Sequence, residues 1–149
     1  MTPEQIKDFS LRISQCNRTE LIVIMDEIII AYIKGAQDGL MQGEKETFRF
    51  QLEKARQFLD ELSSSLDMRF EISHELSSLY SYVRKSLILA SAKENGENLA
   101  QCISIMERLR EAFEQVAKND QSGKMIQGSQ KVYAGLTYGP GSNLNEIVF

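Results

Sequence analysis

The chain is poor in the side chains from which reactive centres are built. It has one histidine, His74, two cysteines, Cys16 and Cys102, and no tryptophan among 149 residues. Glu71 and His74 have the Glu-x-x-His spacing found in di-iron bundles, but that site needs two such motifs and two further carboxylates. A solitary histidine rules it out, and neither cysteine has the companions of a zinc site or a nucleophile pair. The glycines at 135, 139 and 141 lack the Gly-Lys-Ser/Thr ending of a phosphate loop and read as turn glycines. The neighbouring acids Asp26-Glu27 and Asp60-Glu61 fit a charged helix surface better than acid–base catalysis. No catalytic, cofactor-binding or metal-ligating residue is expected, and no enzyme. A basic surplus is also missing, since 17 Lys and Arg against 21 Asp and Glu leave a net charge of -4. That disfavours nucleic acid as a partner. The longest apolar run, Leu21 to Ile33, holds two acids and falls short of the roughly 20 residues a bilayer core requires, so no membrane span is expected. There is no leader of charged then apolar residues, so a cytoplasmic address with both cysteines reduced follows.

What is present is helical periodicity over one domain. A polar stretch, residues 1–16, carries Ile6, Phe9, Leu11 and Ile13 and reads as a short helical or extended N-terminal arm. Asn17, with Glu20 three residues on, forms a variant of the capping box. Asn17-Arg18-Thr19 is therefore a helix start rather than a glycosylation site. The helix over 17–43 is apolar nearly all round and must be covered on more than one side. Gly35, Gly39 and Gly43 are read as the weakening of its end. A second helix, 45–66, repeats Phe48, Leu52, Ala55, Leu59, Leu62 and Leu66. A third, 70–94, lines up Ile72, Leu76, Leu79, Tyr80, Val83, Leu87 and Ala90; it is capped by Ser73 or starts a turn earlier, and Asn95-Gly96 ends it. The fourth, 97–118, carries Leu99, Cys102 or Ile103, Met106, Leu109, Phe113 and Val116. The predicted fold is all-α, an antiparallel up-down four-helix bundle over 17–119, with Cys16 and Cys102 far apart.

Two features exceed what a bundle needs. Residues 120–149 contain enough glycine to predict a non-helical or disordered C-terminal tail, yet Val132, Tyr133, Leu136, Tyr138, Leu144, Ile147, Val148 and Phe149 are too apolar for inert solvated chain. The tail is either a flexible extension or a segment docked on the bundle or on a partner. Apolar residues also lie beyond one stripe per helix, among them Tyr82, Ile88 and Leu89 in the third and Phe50 and Phe58 in the second. Core edges and a docked arm can absorb them, or they form a groove for an amphipathic or disordered client.

The order of these features resembles one known family. Thr19-Glu20-Leu21-Ile22-Val23-Ile24-Met25 opens the first long helix and Lys54-Ala55-Arg56-Gln57-Phe58-Leu59-Asp60-Glu61-Leu62 lies in the second. Ser65-Leu66-Asp67 then leads to Glu71-Ile72-Ser73, Leu76 and Leu79-Tyr80-Ser81-Tyr82, and Leu109-Arg110-Glu111-Ala112-Phe113 closes the fourth. Over residues 9–117 this is similar to the FliS family of flagellar export chaperones. Asp26-Glu27-Ile28 departs from that family's Tyr-Asp-Gly, Phe9 stands where an early Tyr is sought, and Phe113 where a Trp is expected.

The resemblance implies a chaperone of type III flagellar export. It would bind the disordered C-terminal segment of flagellin, prevent premature polymerisation and aid delivery to the flagellar export apparatus, with no cofactor and as a monomer or weak homodimer. Joined to the apolar surplus, it puts client binding on Leu76, Leu79, Tyr80, Tyr82, Val83, Leu87, Met106, Leu109 and Phe113, with Ile6 and Phe9 as arm contacts. A non-catalytic helical adaptor that self-associates through the first long helix is the alternative from another functional class.

Overall fold

A computed structural model describes residues 1–121, 123 and 127–137. Within them run six helices: α1 Pro3–Gln15, α2 Arg18–Met41, α3 Lys45–Ser64, α4 Glu71–Lys93, α5 Leu99–Asn119 and α6 Gln127–Thr137. The backbone of α2 packs on α3 and α5, and α4 packs on the same two, while α2 and α4 make no backbone approach, nor do α3 and α5. The four long helices are thus the corners of a square, an all-α bundle with α2 and α4 on one diagonal. Opposite ends meet at its edges: Lys45 and Arg49, at the start of α3, reach Glu94 just past the end of α4.

The N-termini are capped where the sequence offers an oxygen. Thr2 and Gln5 form a reciprocal capping box on α1, with Pro3 in its first turn. Asn17 accepts from the amide of Glu20 at 2.8 Å and starts α2. With 24 residues α2 spans about 36 Å. It touches α1, α3, α5 and α6, so almost every side has a neighbour. That explains a helix apolar nearly all round: Leu21, Ile24, Met25, Ile28, Ile29, Tyr32, Ile33 and Ala36 are all core residues. Each large one contributes about 1.5–3 kcal/mol by leaving water.

Several expectations are corrected. Gly35 and Gly39 do not weaken a helix end; they lie inside α2 and let α3 come close. A Cβ on Gly39 would stand 3.2 Å from Thr47 Cγ2 and 3.3 Å from the Phe48 amide nitrogen, and one on Gly35 would stand 3.0 Å from Gln51 Oε1. Gly43 takes the left-handed conformation, φ 74°, that turns the chain into α3. At the far end of α4 that conformation falls on Glu94 (φ 50°), not on Asn95 or Gly96. The α4 helix begins at Glu71 after Phe70 without a side-chain cap, and Ser73 is buried in its first turn. Ile72 and Leu79 are exposed although they lie on the side of α4 that also carries the buried Ser86 and Ala90, so cover on that side thins toward the start of the helix. Along the face as a whole Tyr80, Val83, Leu87 and Ala90 with Ser73 and Ser86 are buried.

The tail correction is larger. Residues Gln127–Thr137 form a helix despite Gly128 and Gly135, so part of the tail is not non-helical and Gly135 is not a turn glycine. Glycine costs about 1 kcal/mol per helical position relative to alanine, and burial of Val132, Ala134 and Leu136 offsets it. Tyr138, Gly139, Pro140, Gly141, Leu144, Ile147, Val148 and Phe149, also read above as part of the tail, lie outside the described residues.

Candidate functional site

Among the described residues, α4 carries more exposed large apolar side chains than any other helix. This helix touches only α3 and α5 among the described elements. Ile72 is 58 % exposed, Leu79 38 %, Tyr82 43 % and Leu89 51 %. At 100° per residue these four span a flank about 100° wide, Ile72 and Leu79 on the edge of the core face of α4 and Tyr82 and Leu89 beside it, and Ile72 to Leu89 covers about 26 Å of helix. The Tyr82 hydroxyl lies 3.1 Å from Gln101 Oε1, which places that flank toward α5. On the other side of α4, Arg84 donates to Asp60 of α3 at 2.9 Å. Met68 and Phe70, in the turn that enters α4, are exposed as well. Asp67 holds that turn by pairing with Arg69, which keeps its carboxyl below the usual range.

The residues expected to bind client divide into two groups. Tyr80, Val83, Leu87 and Met106 are fully buried in the bundle's own core. Leu79 and Tyr82 are exposed on the flank just described, Leu76, Leu109 and Phe113 are half-buried, and Leu76 and Leu109 pack against the core. In the arm, Phe9 is buried with Ile13 and Ile6 packs at its margin, all on α1. Arg12 of α1 pairs with Glu27 of α2 at 2.5 Å. Met68 and Phe70 were missed. Their signal was available, as apolar residues in a turn that polar ones would ordinarily fill.

His74, exposed, contacts the Met68 carbonyl through Nε2 at 2.9 Å, a local role in keeping with its isolation. Among the described residues no cluster of His, Cys, Asp and Glu could hold a metal ion. Cys16 and Cys102 are free and buried, and burial pushes both thiols up from their ordinary pKa.

Two ionisable groups are sunk in the bundle. Asp26 of α2 is fully buried and neither carboxyl oxygen has a hydrogen-bond partner. Desolvation drives its pKa well up; Arg110 opposes this and Glu27 adds to it. Its charge also bears on Tyr80 across the diagonal, a second reason, after burial, that the phenol is raised. Lys54 of α3 is 2 % exposed and lies over two rings, 6.0 Å from the Tyr32 centroid and 5.8 Å from that of Phe58. The rings stack at 5.9 Å. The Lys54 ammonium donates to the carbonyl of Gly135 in α6, and burial lowers its pKa.

A cleft between α1, α2 and α5, about 340 Å³, is lined by Arg12, Glu20 and Glu114 together with Val23 and Ile24. Its charged walls do not suit an apolar client. The α4 flank, a long apolar line on the outside of a bundle, can bind one side of an amphipathic helix.

The family model described as flagellar protein FliS matches residues 5–120. The chain belongs to the FliS family. No curated protein matches it. The match takes in α1 to α5 and ends at Asp120, so α6 lies beyond the FliS region. Membership makes this a chaperone of flagellar biogenesis and export on a helical-bundle fold. FliS proteins are non-enzymatic. No helix among the described residues is long and apolar enough to cross a membrane. In this FliS chain Asp26 is the buried acid in the stretch where it departs from the expected Tyr-Asp-Gly, and Phe113 is half-buried on α5.

Proposed function

We propose that this FliS chain holds the disordered C-terminal segment of flagellin, prevents its premature polymerisation and brings it to the flagellar export apparatus. One observation carries the reading: in a member of a flagellar chaperone family, α4 leaves Ile72, Leu79, Tyr82 and Leu89 exposed along one flank. A segment destined to pack its apolar side in a filament would place that side on this flank, with Leu76, Leu109 and Phe113 as the deeper contacts. Tyr80, Val83, Leu87 and Met106 support the flank from within. The segment folds as it binds, so association carries a large negative heat-capacity change. Calorimetric titration with the flagellin C-terminal segment tests this; no binding at tens of micromolar overturns it. The cover of α2 by α1, α3, α5 and α6 favours this reading over an adaptor that self-associates through α2.

A further inference from the structure

The α6 helix lies against α1, α2 and α3. Val132, Ala134 and Leu136 are buried there, and Tyr133 remains 40 % exposed. Buried positions on nearly opposite sides of α6 mean that it is inserted between walls and not laid on a flat face. Gly135 lies over Phe58, where a Cβ would stand 3.4 Å from Phe58 Cζ, so a side chain larger than a methyl would meet the ring. The last turn of α6 has no basic residue of its own, and Lys54 of α3 supplies the cation that the carbonyl end of a helix attracts. The seat is therefore matched to a short apolar helix with a small residue over Phe58 and a last-turn carbonyl over Lys54. Tyr32, Lys54 and Phe58 belong to the family region, whereas the helix that covers them does not.

The cover has less helix stability of its own than its neighbour. Helix α1 has its own capping box, Pro3 at its start, and the Arg12–Glu27 ion pair. Helix α6 has 11 residues, two of them glycine. A helix that short does not persist in water by itself, so undocking and unfolding are one event for α6. Lys54 on leaving the carbonyl meets water, which replaces the lost bond.

We infer that the α1/α2/α3 groove is a second docking site for an apolar helical stretch of the client, and that α6 is its internal occupant, which the client must displace. This rests on the client reading above. A competing internal segment reduces apparent affinity by the fraction of molecules in which the groove is open. The carboxyl end of the chain then acts as a built-in competitor that sets how tightly a client must bind.

The test uses the full chain. V132D/L136D puts two carboxylates where α6 is buried and releases it, and Gly135→Leu drives it off Phe58 by bulk alone; Tyr133→Ala, on the exposed side, is the control. Circular dichroism confirms the intact bundle in each. The flagellin C-terminal segment should bind both released variants about tenfold more tightly than wild type and Y133A. A synthetic Gln127–Thr137 peptide should bind the released variants and compete with that segment. Equal affinity for wild type and both released variants overturns the inference while leaving the client reading in place. A peptide that binds without competing overturns it too, because the groove is then not a client site. If the segment binds none of the proteins, the client reading fails and this inference fails with it.

Discussion

Thr19, in the first turn of α2, donates its hydroxyl to the carboxylate of Asp120, the residue that ends α5. Beside it the Asn17 amide reaches the Asp120 carbonyl at 3.4 Å. The start of one helix is thus tied to the end of its antiparallel neighbour, and one residue, Asn17, both caps α2 and makes that tie. Asn17→Ala should cost about 1 kcal/mol for the cap, and Thr19→Val about 1 kcal/mol more. Urea unfolding should show a lower midpoint with an unchanged slope.

Asp26 predicts an unusual pH dependence. Its folded pKa is raised, chiefly by desolvation, so the folded state holds the proton more tightly than the unfolded chain does. Between the unfolded value, 3.8, and the raised folded one, stability falls as pH increases. The slope contributed by one group reaches at most about 1.4 kcal/mol per pH unit. Asp26→Asn, which cannot ionise, should flatten the unfolding free energy against pH in that window and raise stability at neutral pH. An unchanged profile in urea titrations from pH 4 to 8 would count against a buried carboxyl.

Glu94 holds a left-handed backbone that glycine adopts more readily, yet it keeps two cations of α3, with Lys45 at 2.8 Å. Side-chain bonds from Lys45 and Arg49 lower its pKa, so its support is present above the unfolded value of 4.5 and fades as pH falls through the folded one. Glu94→Ala loses the bridges and keeps the strain; Glu94→Gly loses the bridges and removes the strain. The glycine variant should melt a few degrees above the alanine variant, and salt should lower the wild-type advantage over both.

Neighbouring residues on α4 should part company. Leu79→Asp or Tyr82→Asp alters an exposed side chain and should leave the melting temperature within a degree or two, while weakening the flagellin segment roughly tenfold each, about 1.4 kcal/mol. Tyr80→Ala empties a fully buried site and should cost about 3–5 kcal/mol of stability. Paired calorimetry and thermal melts distinguish the two effects.

The four long helices were legible because each repeats its apolar residues at three and four, and stripes such as Phe48, Leu52, Ala55, Leu59 and Leu62 are buried as the spacing requires. The division of α4 was less legible. Leu79 and Tyr80 are adjacent and similarly apolar, and only the positions of α3 and α5 decide that one is exposed and the other buried. For α6 the local signal pointed the other way, since glycine lowers helix propensity and the groove that makes the segment helical is built by α1, α2 and α3, distant in sequence. Gly35 and Gly39 were ambiguous for a related reason: close approach depends on the partner, and Thr47 and Gln51 are named only once α3 is in place.

Cys16 and Cys102 are the chain's only sulfhydryls, both sealed in the core with their ionisation suppressed. Thiol reagents attack the ionised form, so neither should consume dye in the folded state. A cysteine placed at Ser81, exposed on α4, would then be the single fast-labelling position. A fluorophore there could report arrival of a client in real time without first stripping the protein of its native cysteines.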